Sequence, residues 1–187
     1  MDVVLQRIMD TIRMLEDEIS NYRDERLEKY YQTQKDRFLR LTRLIESTHE
    51  GGRIVEAGAE PFLLQYLLDR TLDDDVIGLD LNPSRYNRFI SKNNLTVFRC
   101  DLASNTYPVD RASFVILSEV LEHLIDPIGV LDKIYDLLQE GGKLLLTTPN
   151  FYRLETLYRF FTGQGFNDAV EAWKKMSLIG HPGHIRL

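Results

Sequence analysis

Between residues 54 and 147 the chain alternates between two rhythms, and no other feature constrains its fold as much. Five short apolar runs (Ile54–Ala57, Val76–Asp80, Thr96–Cys100, Phe114–Leu117 and Leu144–Thr147) have turn signals around them. Uninterrupted apolar runs of this length suit parallel strands that are buried on both faces. Helix signals lie between them. Pro61, Pro83 and Pro127 each stand where a first helical residue belongs, and Asn82 and Asp126 are good caps before the last two. Gly141-Gly142 marks the end of the helix that runs through Leu131, Ile134 and Leu138. Strand and helix in alternation predict an α/β, doubly wound, mainly parallel Rossmann-like sheet with helices on both faces.

Residues 1–50 contain neither glycine nor proline and read as an N-terminal helical extension. Val4, Ile8, Ile12, Leu15 and Ile19 form one apolar stripe, and Leu27, Tyr30, Tyr31, Phe38, Leu41 and Ile45 form a second. Isolated helices are marginal, so these stripes are expected to lie on the domain or on a second copy, which makes a homodimer through the helices a candidate arrangement. Three segments follow: 1–50, the α/β domain over 51–150, and a cover segment over 151–187 with "FYRLETLYRFF" and Trp173. Those aromatics fit plain core packing equally well.

Composition excludes several function classes. A formal charge of −6 gives no footprint for nucleic acid. The runs "FVIL" and "LLL" are far too short to cross a bilayer, so no transmembrane segment is expected. The start "MDVVLQRIMD" does not read as a signal peptide. A single cysteine, Cys100, rules out an internal disulfide framework. A cytoplasmic location is the expectation. The histidines His49, His123, His181 and His184 carry no metal-ligand spacing, so no metal is expected.

In an open parallel sheet, ligands bind beyond the carboxyl ends of the strands, where strand order reverses. The residues at those ends are therefore the informative ones. After the first run come Glu56, Gly58, Ala59 and Glu60. After the second comes Asp80, about 20 residues beyond Gly58, the distance at which an acid accepts from ribose hydroxyls in sheets of this type. Asp101 and Leu102 follow the third, and Ser118 and Glu119 the fourth. Each has a plainer reading. Asp80 also suits a strand end before a capped helix, and Asp101 a turn. Glu119 and Glu122 fall where a helix macrodipole favours acids whatever the function. Acids after three successive strands at one sheet edge are the less ordinary feature.

From Gly52 to Asn150 the chain resembles the class I S-adenosylmethionine-dependent methyltransferases, in the small-molecule and glycan-modifying branch of type 11/23. The resemblance is carried by "FVILSEVLEHLIDPIGVLDKIYDLLQEGGKLLLTTPN", with "GLDLNPSR" and "FRCDLAS" at the second and third strands. It implies S-adenosyl-L-methionine as cofactor. Glu56 and the Gly58-Ala59 backbone would meet its methionine end. Asp80 would hold the ribose, with Leu81 near the adenine. Asp101 would accept from the adenine amino group with Leu102 as its backbone partner, and Ser118 and Glu119 would line the floor beneath the sulfonium.

The family pattern prefers glycine where this chain has Glu60 and Phe62. The cofactor has no phosphate, so the demand for close backbone approach is weaker. Glu60 is expected beside a helix start, pointing outward. His123, four residues after Glu119 on a helix, shares its face, and is a catalytic candidate beside a packing or capping role. "HPGHIRL" also resembles the branch, and the family's last two strands are expected to be missing, leaving Leu144–Thr147 as an exposed sheet edge that something shields. The function implied is methyl transfer to a small-molecule, sugar or lipid-linked acceptor. The alternative is a catalytically silent binding module or partner subunit that keeps the fold.

Overall fold

The computed structural model describes residues 3–150, 158 and 161–163. The cover segment expected over 151–187, with Trp173, His181 and His184, lies almost wholly outside these residues.

The chain opens with a helical hairpin. α1 (Val3–Tyr22) buries Ile8, Ile12, Leu15 and Ile19, and α2 (Glu25–Thr48) buries Leu27, Tyr31, Phe38, Leu41 and Ile45. The glycine-free stretch breaks because Arg23 takes φ 57° and Asp24 caps the second helix, accepting from the backbone N–H groups of Arg26 and Leu27. Both helices pack on α3 (Leu63–Thr71). The apolar stripes are therefore covered by the chain's own domain.

Five parallel strands follow: β1 (Ile54–Ala57), β2 (Val76–Asp80), β3 (Thr96–Arg99), β4 (Ala112–Ser118) and β5 (Leu138–Thr147). Their spatial order is β3-β2-β1-β4-β5, so the order reverses between β1 and β4. The central strands β1 and β2 are buried throughout, whereas β3 and β5, at the two edges, are largely exposed. The sheet separates two cores. Ile54, Val76, Phe114 and Ile116 face α1, α2, α3 and α4 (Asn87–Lys92), while Val55, Ile77, Leu79, Val115 and Leu117 face α5 (Pro127–Leu137).

Strand alternation then decides which strand-end residues meet. Side chains two apart share a face. Glu56 follows Ile54, Asp80 follows Val76 by four, and Ser118 follows Ile116 by two. All three therefore belong to the face covered by the N-terminal helices. The register agrees, with Glu56 beside both Gly78 and Ile116.

Several local expectations are corrected. α3 begins at Leu63 and not at Pro61, because Phe62 takes a left-handed conformation with φ 68°. Pro83 opens a single 3-10 turn (Pro83–Tyr86), and Asn82 makes no side-chain cap bond there. Pro127 does open α5, with Asp126 accepting from the Gly129 N–H at 3.0 Å. That helix ends at Leu137. Gly141-Gly142 lies inside β5, where pairing with β4 shifts register between Ala112–Leu138 and Phe114–Lys143. Gly141 has φ 75°, so the glycine pair serves an irregular strand and not a helix cap. Leu144 and Leu146 on β5 remain 38% and 41% exposed among the described residues.

Candidate functional site

The carboxyl ends of β1 and β4 flank the point of strand reversal, and α2 reaches across it. Glu56, Gly58, Ala59 and Ser118 line one small cavity there, together with Tyr30, Arg37 and Phe38 of α2 and Glu60. The cavity holds about 20 Å³, roughly the room for one water. A larger hollow of about 800 Å³ lies elsewhere, between α5 and the glycine bend of β5. Its lining includes Leu131, Tyr135, Gly142 and Leu144 but none of the strand-end acids.

Glu56 is 6% exposed, and its Oε2 has no hydrogen-bond partner. Burial pushes its carboxyl up to about 8, against the Gln65 backbone N–H and the Arg37 guanidinium, which favour the charged form. Arg37 Nη2 donates to the Tyr30 hydroxyl at 3.1 Å, and Nη1 lies 3.6 Å from Glu119 Oε2. Its Nε is buried without a partner. Two unpartnered polar atoms of opposite character thus belong to residues lining one cavity. Each such atom costs free energy of about 1–3 kcal/mol unless a partner is supplied.

The loop between β1 and α3 is fixed by its backbone. The N–H groups of Gly58 and Ala59 both donate to the Leu79 carbonyl, at 2.8 and 3.1 Å. Gly58 has φ 76°, and a Cβ there would lie 2.5 Å from Val120 Cγ2, so only glycine fits. Glu60 donates its N–H to Asp80 Oδ2 at 3.1 Å, and its side chain accepts from Arg85 at 3.0 Å. It is held to the side by an ion pair. Phe62 keeps left-handed geometry although it carries a side chain. That conformation costs about 1–2 kcal/mol, offset here by complete burial and an edge contact with Tyr86.

Asp80 is 8% exposed, and its other oxygen accepts from the Asn82 N–H at 2.8 Å. Each carboxylate oxygen retains a lone pair. Beside it Leu81 is 60% exposed, an apolar side chain left open at the same edge. Asp101 is exposed and accepts from the Ala103 N–H. Leu102 packs its side chain into the core beneath α5, and its carbonyl is taken by the Tyr107 hydroxyl. Neither lines the cavity. Ser118 Oγ is 3.0 Å from Thr147 Oγ1, which donates to Glu119 Oε1.

His123 does not share a helical face with Glu119. Glu119 has φ 57°, outside any helix, and His123 ends a 3-10 turn (Leu121–His123) with its side chain 41% exposed. The helical face assumed for Glu119, Glu122 and His123 is absent because α5 starts only at Pro127. Among the described residues no group of His, Cys, Asp and Glu could hold a metal ion, and no helix is long and apolar enough to cross a membrane.

Sequence reading missed Tyr30, Arg37 and Phe38. Tyr30 and Phe38 register only as members of an apolar stripe. The one available signal is that Tyr30 and Arg37 stand seven residues apart at that stripe's margin, two helical turns along one side.

The family described as "Methyltransferase domain" matches residues 24–186, which takes in α2 and the whole sheet. A SAM-dependent methyltransferase of Thermotoga maritima superposes with a TM-score of 0.57 at 16% identity, over 80% of this chain and 67% of its own. A protein from Pyrococcus horikoshii OT3 gives 0.55 at 15% identity, over 77% and 65%. The CcbJ methyltransferase from Streptomyces caelestis gives 0.50 at 16%, over 56% and 45%. At these identities the likeness is one of fold. The chain spans about two thirds or less of the length of these structures. No curated protein matches it.

Proposed function

The chain belongs to the methyltransferase-domain family, and from that premise we propose that it binds S-adenosyl-L-methionine at the carboxyl edge and transfers its methyl group to a small-molecule, sugar or lipid-linked acceptor. The observation that carries this reading is the pair of unpartnered atoms, Glu56 Oε2 and Arg37 Nε, on residues lining one cavity at the strand reversal. An α-amino acid end presents an ammonium and a carboxylate, the two groups such a pair lacks. The donor set fits the group.

When bound, the cofactor supplies an already activated methyl on its sulfonium. The protein's part is then chiefly to align and to exclude water. Glu56 would accept from the ammonium. Arg37 would donate to the carboxylate with a planar fork. The Asp80 oxygens retain lone pairs for a vicinal diol, and the exposed Leu81 offers an apolar surface to the adenine. Asp101 stands at the end of β3, where the family accepts from the adenine amino group, and Leu102 contributes backbone there. Ser118 and Glu119 stand at the end of β4 on the sulfonium side. His123 ends a 3-10 turn beside Glu122 and does not line the cavity.

Calorimetric titration with S-adenosylhomocysteine tests the reading. Submicromolar to micromolar binding is expected, weakened about 10–100-fold in Asp80→Ala, the value of hydrogen bonds to a charged group. Unchanged affinity in that variant would count against the assignment. Methyl transfer to a panel of small-molecule and sugar acceptors then separates an enzyme from a silent binding module. Glu60 and Phe62 at the family's glycine positions, with a cavity this small, are what favour the second reading. Binding without transfer to any acceptor would support it.

A further inference from the structure

Resting on that reading, we propose that Arg37 and Glu119 form a latch, in which Arg37 exchanges the Glu119 carboxylate for the carboxylate of the cofactor's amino-acid end. A cavity of about 20 Å³ takes about one water, far less than an amino-acid end, so some lining group has to move. Most are fixed. Gly58 and Ala59 are bonded to Leu79, Leu63 and Leu64 are fully buried, and Phe38 lies in the core beside Tyr31. Among the long side chains that remain, Glu60 is tied to Arg85 and Tyr30 accepts from Arg37, while Arg37 itself is a quarter exposed, at 24%.

The existing contact is also a loose one. The Arg37–Glu119 separation of 3.6 Å is an ion pair too long to be a hydrogen bond. Glu119 has other anchors, since its Oε1 accepts from Thr147 Oγ1 and its N–H donates to the Thr147 carbonyl. Losing Arg37 therefore leaves Glu119 in place. Arg37 meanwhile has Nε unused, so a fork of Nε–H and Nη–H can form without breaking its bond to Tyr30. The charged and titratable groups around it are Tyr30 on its own helix, Glu56 of β1 and Glu119 after β4, with Asp80 of β2 and Glu60 further along the edge. Arg85 is taken up by Glu60 at 3.0 Å, so an anion entering here meets Arg37, the cation that lines the cavity. The consequence is that Glu119 competes with the cofactor for Arg37.

Two probes isolate the exchange. S-adenosylhomocysteine carries the amino-acid end, whereas 5′-methylthioadenosine keeps the adenosine and lacks it. Glu119→Gln should tighten S-adenosylhomocysteine by about 3–10-fold and Arg37→Gln should weaken it by about 10–100-fold, the worth of a charge-assisted hydrogen bond. Arg37→Lys should fall between wild type and Arg37→Gln. Methylthioadenosine affinity should stay within about 2-fold in both Arg37 variants and should not tighten in Glu119→Gln, because it lacks the carboxylate that would take Arg37. Circular dichroism melts confirm that each variant is folded. The latch is overturned if Glu119→Gln leaves S-adenosylhomocysteine unchanged or weaker, or if Arg37→Gln weakens both probes alike. In either case the proposed function stands so long as wild type binds S-adenosylhomocysteine. Failure of wild type to bind it overturns both.

Discussion

The two rims of the sheet are built from similar residues and end in opposite states. At the amino rim, His49 Nε2 is 3.0 Å from Asp74 Oδ2, and Asp74 Oδ1 accepts from the Gly52 N–H. Arg53 pairs with Asp75 and Asp110, and Lys143 donates to Glu50 and to the Thr48 carbonyl. At the carboxyl rim Glu56 and Arg37 each keep a buried atom without a partner, and positive φ falls on Phe62 and Glu119, which resist it, whereas at the amino rim it falls on Gly51, Gly52 and Asn94. A satisfied rim only holds the chain together. A rim that keeps buried polar atoms without partners and unfavourable backbone sacrifices stability for something else, and strain of that kind concentrates where ligands bind.

That contrast makes separate predictions for each rim. The largest expected effect is at Glu56. A carboxyl raised to about 8 in the folded protein, against an ordinary value near 4.5, binds a proton that the unfolded chain releases. Stability therefore falls as pH rises from about 4.5 to about 8 and is flat above. Glu56→Gln lacks this slope. Its stability relative to wild type should grow by on the order of 3–4 kcal/mol between pH 5 and pH 8, while its affinity for S-adenosylhomocysteine falls. Denaturant melts at several pH values would show this. Parallel pH profiles would mean that Glu56 is already paired like the amino-rim acids.

Gly58→Ala comes next. A left-handed alanine whose Cβ meets Val120 should cost about 2–3 kcal/mol and weaken S-adenosylhomocysteine as well. Equal affinity would separate the loop's shape from binding.

How much of this contrast can be read in the sequence depends on distance along the chain. The strands of the sheet are legible because short apolar runs between turn signals suit parallel strands, and the central β1 and β2 do bury on both faces. Glu56, Asp80 and Ser118 are legible too, since strand alternation fixes their side of the sheet once the strands are known. Arg37 is not, because its place over β1 depends on how α2 packs on α3, a contact that no local pattern encodes. The left-handed Phe62 is equally hidden. Its side chain argues against that backbone, and only burial against Tyr86 holds it there. The helical face assumed for His123 failed for the converse reason, since acids after a strand resemble a first helical turn whether or not one forms.

Smaller effects belong to the amino rim. His49→Ala removes a ring that is 4% exposed, packed edge-on against Phe114 at 5.8 Å and bonded to Asp74. It should lower stability by about 1.5–2 kcal/mol without altering S-adenosylhomocysteine affinity. Arg53→Ala breaks pairs whose acids are 51% and 96% exposed. It should cost no more than about 0.5 kcal/mol, again with affinity unchanged. A loss of binding in either variant would break the division between the rims.

The most direct measurement is the proton balance of binding. S-adenosylhomocysteine is titrated into wild type at pH 7 in two buffers of unlike ionisation enthalpy. If the carboxyl rim is a receptor in which Glu56 gives up its proton to meet an ammonium, binding releases close to one proton, and Glu56→Gln releases none. Binding with no proton exchanged in wild type, or no binding at all, would contradict the account.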